Sequence, residues 1–225
     1  MGTVGTLKSA GVRIGDEVVV SAYGSAEVAE AVLLVGAVPV FADVDADSLC
    51  LDPAAVAAAV TSRTVAVVAV HRFGRRADIG RIRVLGERHG LLVIGQPEPA
   101  ESYDGVAQRQ AHAAYLNARL TGVMTPSSDA GHTYQQYVVR VPGNGRPDRD
   151  AFARALRARG VRCQAPVQTP VHRMPGFRRD VFLPETERAA DETLALPVDA
   201  SLTRRELQRV VSGCNALGGL LQPAA

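Results

Sequence analysis

The stretch 91–102 reads LLVIGQPEPAES, an apolar run that ends on Gln96, Glu98 and Glu101. Two carboxyl groups this close can share the work of a general acid and a general base if partial burial lifts one of them toward neutrality. Two other apolar runs end on groups of the same kind: EVVVS precedes Tyr23 and Ser25, and TVAVVAV precedes His71. A phenol donates a hydrogen bond to a ligand, an imidazole moves protons near neutral pH, and the Gln96 amide both donates and accepts without titrating. Further on, PVHRMPGF sets His172 beside Arg173, a pair suited to a carboxylate or phosphate and equally suited to a surface loop. Plainer readings stand beside these: Glu98 and Glu101 as a solvated loop, His71 as a structural residue, Tyr23 as part of the core.

Other common chemistries find no foothold. The chain has no HExxH, no GKS/T loop after a strand and no GxSxG. Asp43, Asp45, Asp47 and Asp52 are clustered acids, but the glycine and terminal glutamate of an EF-hand loop do not accompany them, so no metal is expected. Cys50, Cys163 and Cys214 are odd in number and form no CxxC pair, which argues against a disulfide framework or a cysteine zinc site. RFGRRADIGRIR gathers Arg72, Arg75, Arg76, Arg81 and Arg83 and reads as a solvated helix face. A formal charge of +2 and an aromatic content of 4% without tryptophan then argue against a nucleic-acid partner.

The elements that must position the candidates follow from periodicity. With 47% apolar and 21% charged residues, the 225-residue chain has the composition of a globular protein. No apolar run reaches the length of a membrane helix, and the first residues lack a signal-peptide layout, so a cytoplasmic protein is expected. Short β-branched runs at 17–23, 38–44, 64–71 and 91–94 alternate with helix-like segments. Ser25 is the expected cap of the second helix, Asp52 with Pro53 opens the third, and Gly90 closes the fourth. Continuous apolar strands separated by helices predict a parallel sheet covered on both faces. After about residue 105 the pattern changes to a helix at 108–120, a half-exposed strand at 131–143, an amphipathic helix at 148–160, an extended proline-marked stretch, and a last helix at 203–217 capped by Thr203. This order predicts a small α+β domain.

These stretches resemble the DegT/DnrJ-type aminotransferases, pyridoxal-phosphate (PLP) enzymes of fold type I that make amino sugars and 3-amino-5-hydroxybenzoate. IGDEVVVSAY, the long stretch AVLLVGAVPVFADVDADSLCLDPAAVAAAVTSRTVAVVAVHRFGRRADI, and HGLLVIG carry the likeness in the first half. YQQYVVRVPG, DAFARALRARGV, PVHRMPGF and ERAADETLALPVDASLTRREL carry it in the second. The resemblance implies an α/β fold: a partial large domain over 1–105 with a four-stranded parallel sheet in the order 2-1-3-4, and a linking helix with a small α+β domain over 106–225. It implies that Gly2 and Thr3 match a helix start that helps hold the cofactor phosphate. It also exposes departures. The family's carboxylate for the pyridinium nitrogen is Gln96 here, a nearby glutamine is Pro99, and the stacking aromatic ring is Ser25. A long family segment between Ser102 and the helix at 108–120, which carries the Schiff-base lysine, has no counterpart, and Lys8 is the only lysine. Its loss would turn strand 91–94 into a sheet edge, to be covered by 95–107 or by a second subunit.

The expectations from these departures are specific. No cofactor is expected. The first reading is a PLP-independent enzyme of bacterial secondary metabolism, acting on a small polar or cyclic metabolite by cyclisation, dehydration or isomerisation. Its acid/base groups would be Glu98, Glu101, Tyr23 and His71, with Gly2, Thr3, Ser25, Gln96, His172 and Arg173 binding the ligand. The second is a non-catalytic partner of an active aminotransferase or other pathway enzyme. A homodimer, or a heterodimer with such an enzyme, is expected in either case.

Overall fold

The structure, a computed structural model, describes residues 2–97, 104–129, 131–141 and 149–221. The chain divides into two compact units: described residues of 1–72, 76–98 and 169–187 form the first, and those of 73–75, 99–168 and 188–225 the second. The segment 169–187 therefore packs with the first unit although it follows most of the second in sequence.

In the first unit, β1 (Glu17–Ser21), β2 (Val38–Ala42), β3 (Thr64–Val70) and β4 (Leu92–Gln96) form one parallel sheet in the order β2-β1-β3-β4. Side chains alternate across a strand, so a run apolar at every position must bury both faces. Val18, Val20, Ala66 and Val68 accordingly face a core shared with α1 (Thr3–Ser9), α2 (Glu27–Leu34), Val171 and Phe177. Val19, Val67 and Ala69 face the opposite core with α3 (Pro53–Ala59) and α4 (Ile79–His89). The helix signals hold at most ends. Asp52 accepts from the amides of Ala54 and Ala55 with Pro53 at the first helical position, and Asp78 caps α4. Gly90 ends α4 at φ 67°, the left-handed conformation that a helix stop requires. The second helix departs from expectation: α2 begins after Ala26, which makes no side-chain cap, and Ser25 lies exposed outside it.

The second unit holds α5 (Val106–Asn117), β5 (Tyr137–Arg140), α6 (Arg149–Ala158), β6 (Thr193–Leu196) and α8 (Arg204–Leu221). β5 and β6 pair antiparallel, Tyr137 opposite Leu196 and Arg140 opposite Thr193. Leu116, Tyr137, Phe152, Leu194 and Val210 share their core. Thr203 and Glu206 open α8 as a reciprocal pair: the Glu206 amide donates to the Thr203 hydroxyl, and the Thr203 amide donates to the Glu206 carboxylate at 2.8 Å. The Thr203 amide, together with its hydroxyl donating to the same carboxylate, holds the Glu206 carboxyl below its usual range. The stretch 131–143 yields a strand only from Tyr137, because the amides of Thr133 and Gln136 are drawn to the carbonyls of Gly74 and Phe73 and Tyr134 takes φ 47°. One helix and one strand add to those expected from the sequence pattern: α7 (Pro184–Glu192) and β6. Among the described residues, no helix is long and apolar enough to cross a membrane.

Candidate functional site

The C-terminal ends of β1, β3 and β4 carry most of the residues singled out by the sequence. At the end of β4, Gln96 meets Thr3, the first residue of α1: the Gln96 Nε2 donates to Thr3 Oγ1 at 3.0 Å, and the hydroxyl lies 3.3 Å from Oε1. Gly2 precedes the helix in an extended conformation and accepts from the Thr6 amide. Beside it, the His71 amide donates to the Gln96 carbonyl at 2.9 Å, joining the ends of β3 and β4. The His71 ring accepts at Nδ1 from the Ala77 amide at 3.0 Å, so the neutral ring that makes this bond carries its proton on Nε2. Tyr23, 1% exposed, sits in the turn after β1, where its amide donates to Ser21 Oγ at 3.1 Å.

A buried cation that the sequence hid in a basic run completes this end of the sheet. Arg72 is 8% exposed, and its guanidinium carbon lies 3.1 Å from where a Cβ on Gly24 would stand. A side chain there would require the guanidinium to shift by a few tenths of an ångström. The reading of Arg72, Arg75, Arg76, Arg81 and Arg83 as a solvated face is thereby corrected. Arg75 too is buried, its Nη2 donating to the Ser127 carbonyl at 2.6 Å and hydroxyl at 2.7 Å, whereas Arg76, Arg81 and Arg83 are exposed. The chain turns at Phe73 (φ 57°) and Gly74 (φ 88°), so residues adjacent in sequence point in different directions.

The segment 169–187 brings the second candidate group. The Val171 amide donates to the Ala22 carbonyl at 2.8 Å, one residue from Tyr23. His172 is 2% exposed, with Nε2 3.4 Å from Glu187 Oε1, while Arg173 Nη2 reaches the same oxygen at 2.5 Å. The carboxylate that this pair meets is thus the chain's own. Hydrogen bonding from Arg173, opposed by desolvation and reinforced by His172, holds the Glu187 carboxyl below its usual range. His172 Nδ1 is buried without a hydrogen-bond partner among the described residues. The same segment is tied down by Asp43, whose carboxylate accepts from the amides of Glu185 (3.0 Å) and Thr186 (2.7 Å) at the start of α7.

The structure thus joins Thr3, Gln96 and His71 by hydrogen bonds, places Tyr23 one residue from a bonded Ala22, and leaves Ser25 exposed. Glu98 and Glu101 lie outside the described residues, as does the middle (98–103) of the segment 95–107 expected to cover the β4 edge. Glu187, Asp43 and the buried Arg72 are the charged groups that sequence reasoning missed. Among the described residues no three His, Cys, Asp or Glu side chains gather as metal ligands.

The fold is that of the fold type I aminotransferases. The closely similar structures include an aminotransferase, TlmJ, from Streptoalloteichus hindustanus (TM-score 0.87, 22% identity, 98% of this chain and 84% of that one). They also include 3-amino-5-hydroxybenzoic acid synthase (TM-score 0.83, 19% identity, 97% and 84%). At the level of sequence, the DegT/DnrJ/EryC1/StrS aminotransferase family profile matches residues 2–96 and 102–215, and this chain belongs to that family. An L-glutamine:2-deoxy-scyllo-inosose aminotransferase from Streptomyces paromomycinus is 37% identical over 163 residues, covering 71% of this chain and 36% of that protein. The counterpart from Streptomyces kanamyceticus reaches 47% over 88 residues, 39% of this chain and 21% of that protein. This chain therefore aligns with well under half the length of those relatives. A pleiotropic regulatory protein from Geobacillus stearothermophilus is 27% identical over 299 residues, 91% of this chain and 79% of that protein. That aligned span is longer than the chain itself, so the relative carries residues that have no counterpart here.

These findings overturn both functional expectations. A PLP-independent acid/base enzyme and a non-catalytic partner each set the chain apart from amino-group transfer, yet the family and its inosose relatives are aminotransferases. The cofactor that the family implies can be tested against the residues present. The group facing a pyridine nitrogen would be the neutral Gln96 amide, already engaged by Thr3, and Lys8 is exposed in the last turn of α1. The described residues offer no amine at the strand ends and do not fit PLP held as a Schiff base.

Proposed function

We propose that this chain serves amino-group transfer onto a cyclic polyol ketone, within the assembly of amino-cyclitols or amino sugars. The observation that carries the reading is the 37% identity over 71% of the chain with an aminotransferase that takes glutamine and an inosose. The ends of β1, β3 and β4 supply groups suited to such an acceptor. Tyr23 and Thr3 offer hydroxyls, Gln96 an amide, and Arg72 a fixed positive charge that polarises a carbonyl or ring oxygen. His71, with Nδ1 held by the Ala77 amide, presents Nε2–H as a donor rather than a base. In this reading these residues bind and orient the ketone.

The test is calorimetric titration of the full chain with 2-deoxy-scyllo-inosose beside an inosose aminotransferase as control. Saturable binding of the ketone, weakened about tenfold in Gln96→Leu for the loss of one hydrogen bond to a positioned substrate, is expected. No saturable binding under conditions where the control binds would refute the reading.

A further inference from the structure

The parallel sheet ends in two edge strands, β2 and β4, and their outer sides differ. In β2 the Val38 amide donates inward to the Asp16 carbonyl at 2.8 Å, so Pro39, next in the strand, faces outward and offers no donor there. In β4 the Gln96 carbonyl accepts from His71 and so faces β3, which by alternation turns the N–H and C=O of Val93 and Gly95 outward. Neither residue makes a hydrogen bond on that side among the described residues. The strand Leu92–Gln96 carries no charged residue and no proline, and Leu92 is 38% exposed. Such an edge is a template for another strand. We propose that β4 pairs antiparallel with β4 of a second copy of this chain about a two-fold axis at Ile94, joining the two sheets into one.

The register follows from which backbone groups are open. Facing residues of a hydrogen-bonded antiparallel pair exchange both their bonds. Val93 opposite the partner's Gly95, and Gly95 opposite the partner's Val93, therefore use every outward group of both strands. An axis at Val93 sets Gly95 against the partner's Leu91, whose amide is already given to the Gly86 carbonyl at 2.8 Å. An axis at Gly95 sets Val93 against the partner's Pro97, which has no N–H. A two-fold contact requires a strand complementary to itself, and β4 meets that requirement in this register. Gly95 has no side chain to crowd the partner's Val93. Whatever the strand ends bind, the partner's Leu92 then stands beside Gln96 and is withdrawn from water.

The proposal is tested on the full chain by light scattering over a dilution series and by amide exchange read by NMR. A mass twice that of one chain at the top of the series is expected, with exchange at Val93 and Gly95 slowing as concentration rises. Val93→Pro places in β4 the device that β2 carries in Pro39, and should weaken the dimer at least about tenfold for the hydrogen bonds lost. Ile94→Cys stands on the axis, where facing Cα atoms of a non-hydrogen-bonded pair lie about 4.5 Å apart, within reach of a disulfide. Mild oxidation should link two copies through that position, identified by peptide mapping. Exchange in the unaltered chain decides the matter where a variant fails to fold. A mass of one chain throughout the series would overturn the proposal. So would a dimer in which exchange at Val93 and Gly95 ignores concentration, or one in which folded Ile94→Cys does not link.

Discussion

Replacing Asp43 by alanine should loosen α7 at its first turn. Pro184 brings no N–H to the helix start, the Glu187 amide is satisfied by the Leu183 carbonyl, and the amides of Glu185 and Thr186 both donate to the Asp43 carboxylate. An N-cap side chain contributes about 0.5–2 kcal/mol, and bonds to a charged acceptor stand at the upper end. Thr186 is fully buried, so water cannot readily replace the lost acceptor at its amide. The loss should therefore be about 2 kcal/mol, or roughly a thirtyfold rise in local opening. Asp43→Asn keeps one acceptor oxygen but not the charge and should show about half the effect in free energy. Hydrogen exchange is the suitable assay, because a chain of two compact units need not melt as one transition. Exchange at Glu185 and Thr186 should quicken in the alanine variant while β6 stays protected. Unchanged exchange at both amides, or an equal rise in β6, would refute the capping role.

Two further predictions follow from groups near this contact and in the turn at Phe73 and Gly74. The Glu187 carboxyl is held below its ordinary value of 4.5, chiefly by Arg173, so its contribution to stability is fully present above that pH and fades as pH falls through the lowered folded value. The stability gap between the wild-type chain and Glu187→Gln, read by urea denaturation, should therefore close in acid; a gap that persists once the carboxyl is protonated would rule this out. Gly74→Ala places a methyl group 2.5 Å from Thr133 Oγ1 and 2.7 Å from the Gln135 amide at a φ of 88°. A loss of at least about 2 kcal/mol is expected from strain and clash together, and a urea midpoint equal to wild type would contradict it.

Much of the fold could be read from local pattern. Runs such as TVAVVAV are apolar at every position, and only a sheet covered on both faces buries such a run, so the parallel sheet and its flanking helices followed. Asp52-Pro53, Gly90 and Thr203 with Glu206 act on amides or carbonyls within one turn of themselves, which is why their roles were legible. Ser25 misled because a good capping residue near a helix start need not sit at the position where its oxygen reaches a free amide; the helix starts after Ala26 instead. The site was legible to the same local extent. Gln96 was recognised as the end of a strand, but its tie to Thr3 spans 93 positions and carries no sequence signature.

The sequence by itself determined the alternation of strands and helices, the resemblance to the family and through it the expected strand order, and the departures at Gln96 and in the lysine count, because periodicity, motif content and residue identity are properties of the chain taken alone. Tertiary structure decided which charges are used and by whom. Arg72 and Arg81 belong to the same basic run, yet one is buried against Gly24 and the other exposed, since a turn with positive φ at Phe73 and Gly74 separates them. Asp43 lies in a cluster of acids to which the sequence assigns no role, yet it caps a helix more than a hundred residues away. An ionic or hydrogen-bonding side chain acts over a few ångströms, and only the folded chain fixes which amide, carboxylate or guanidinium comes within that reach.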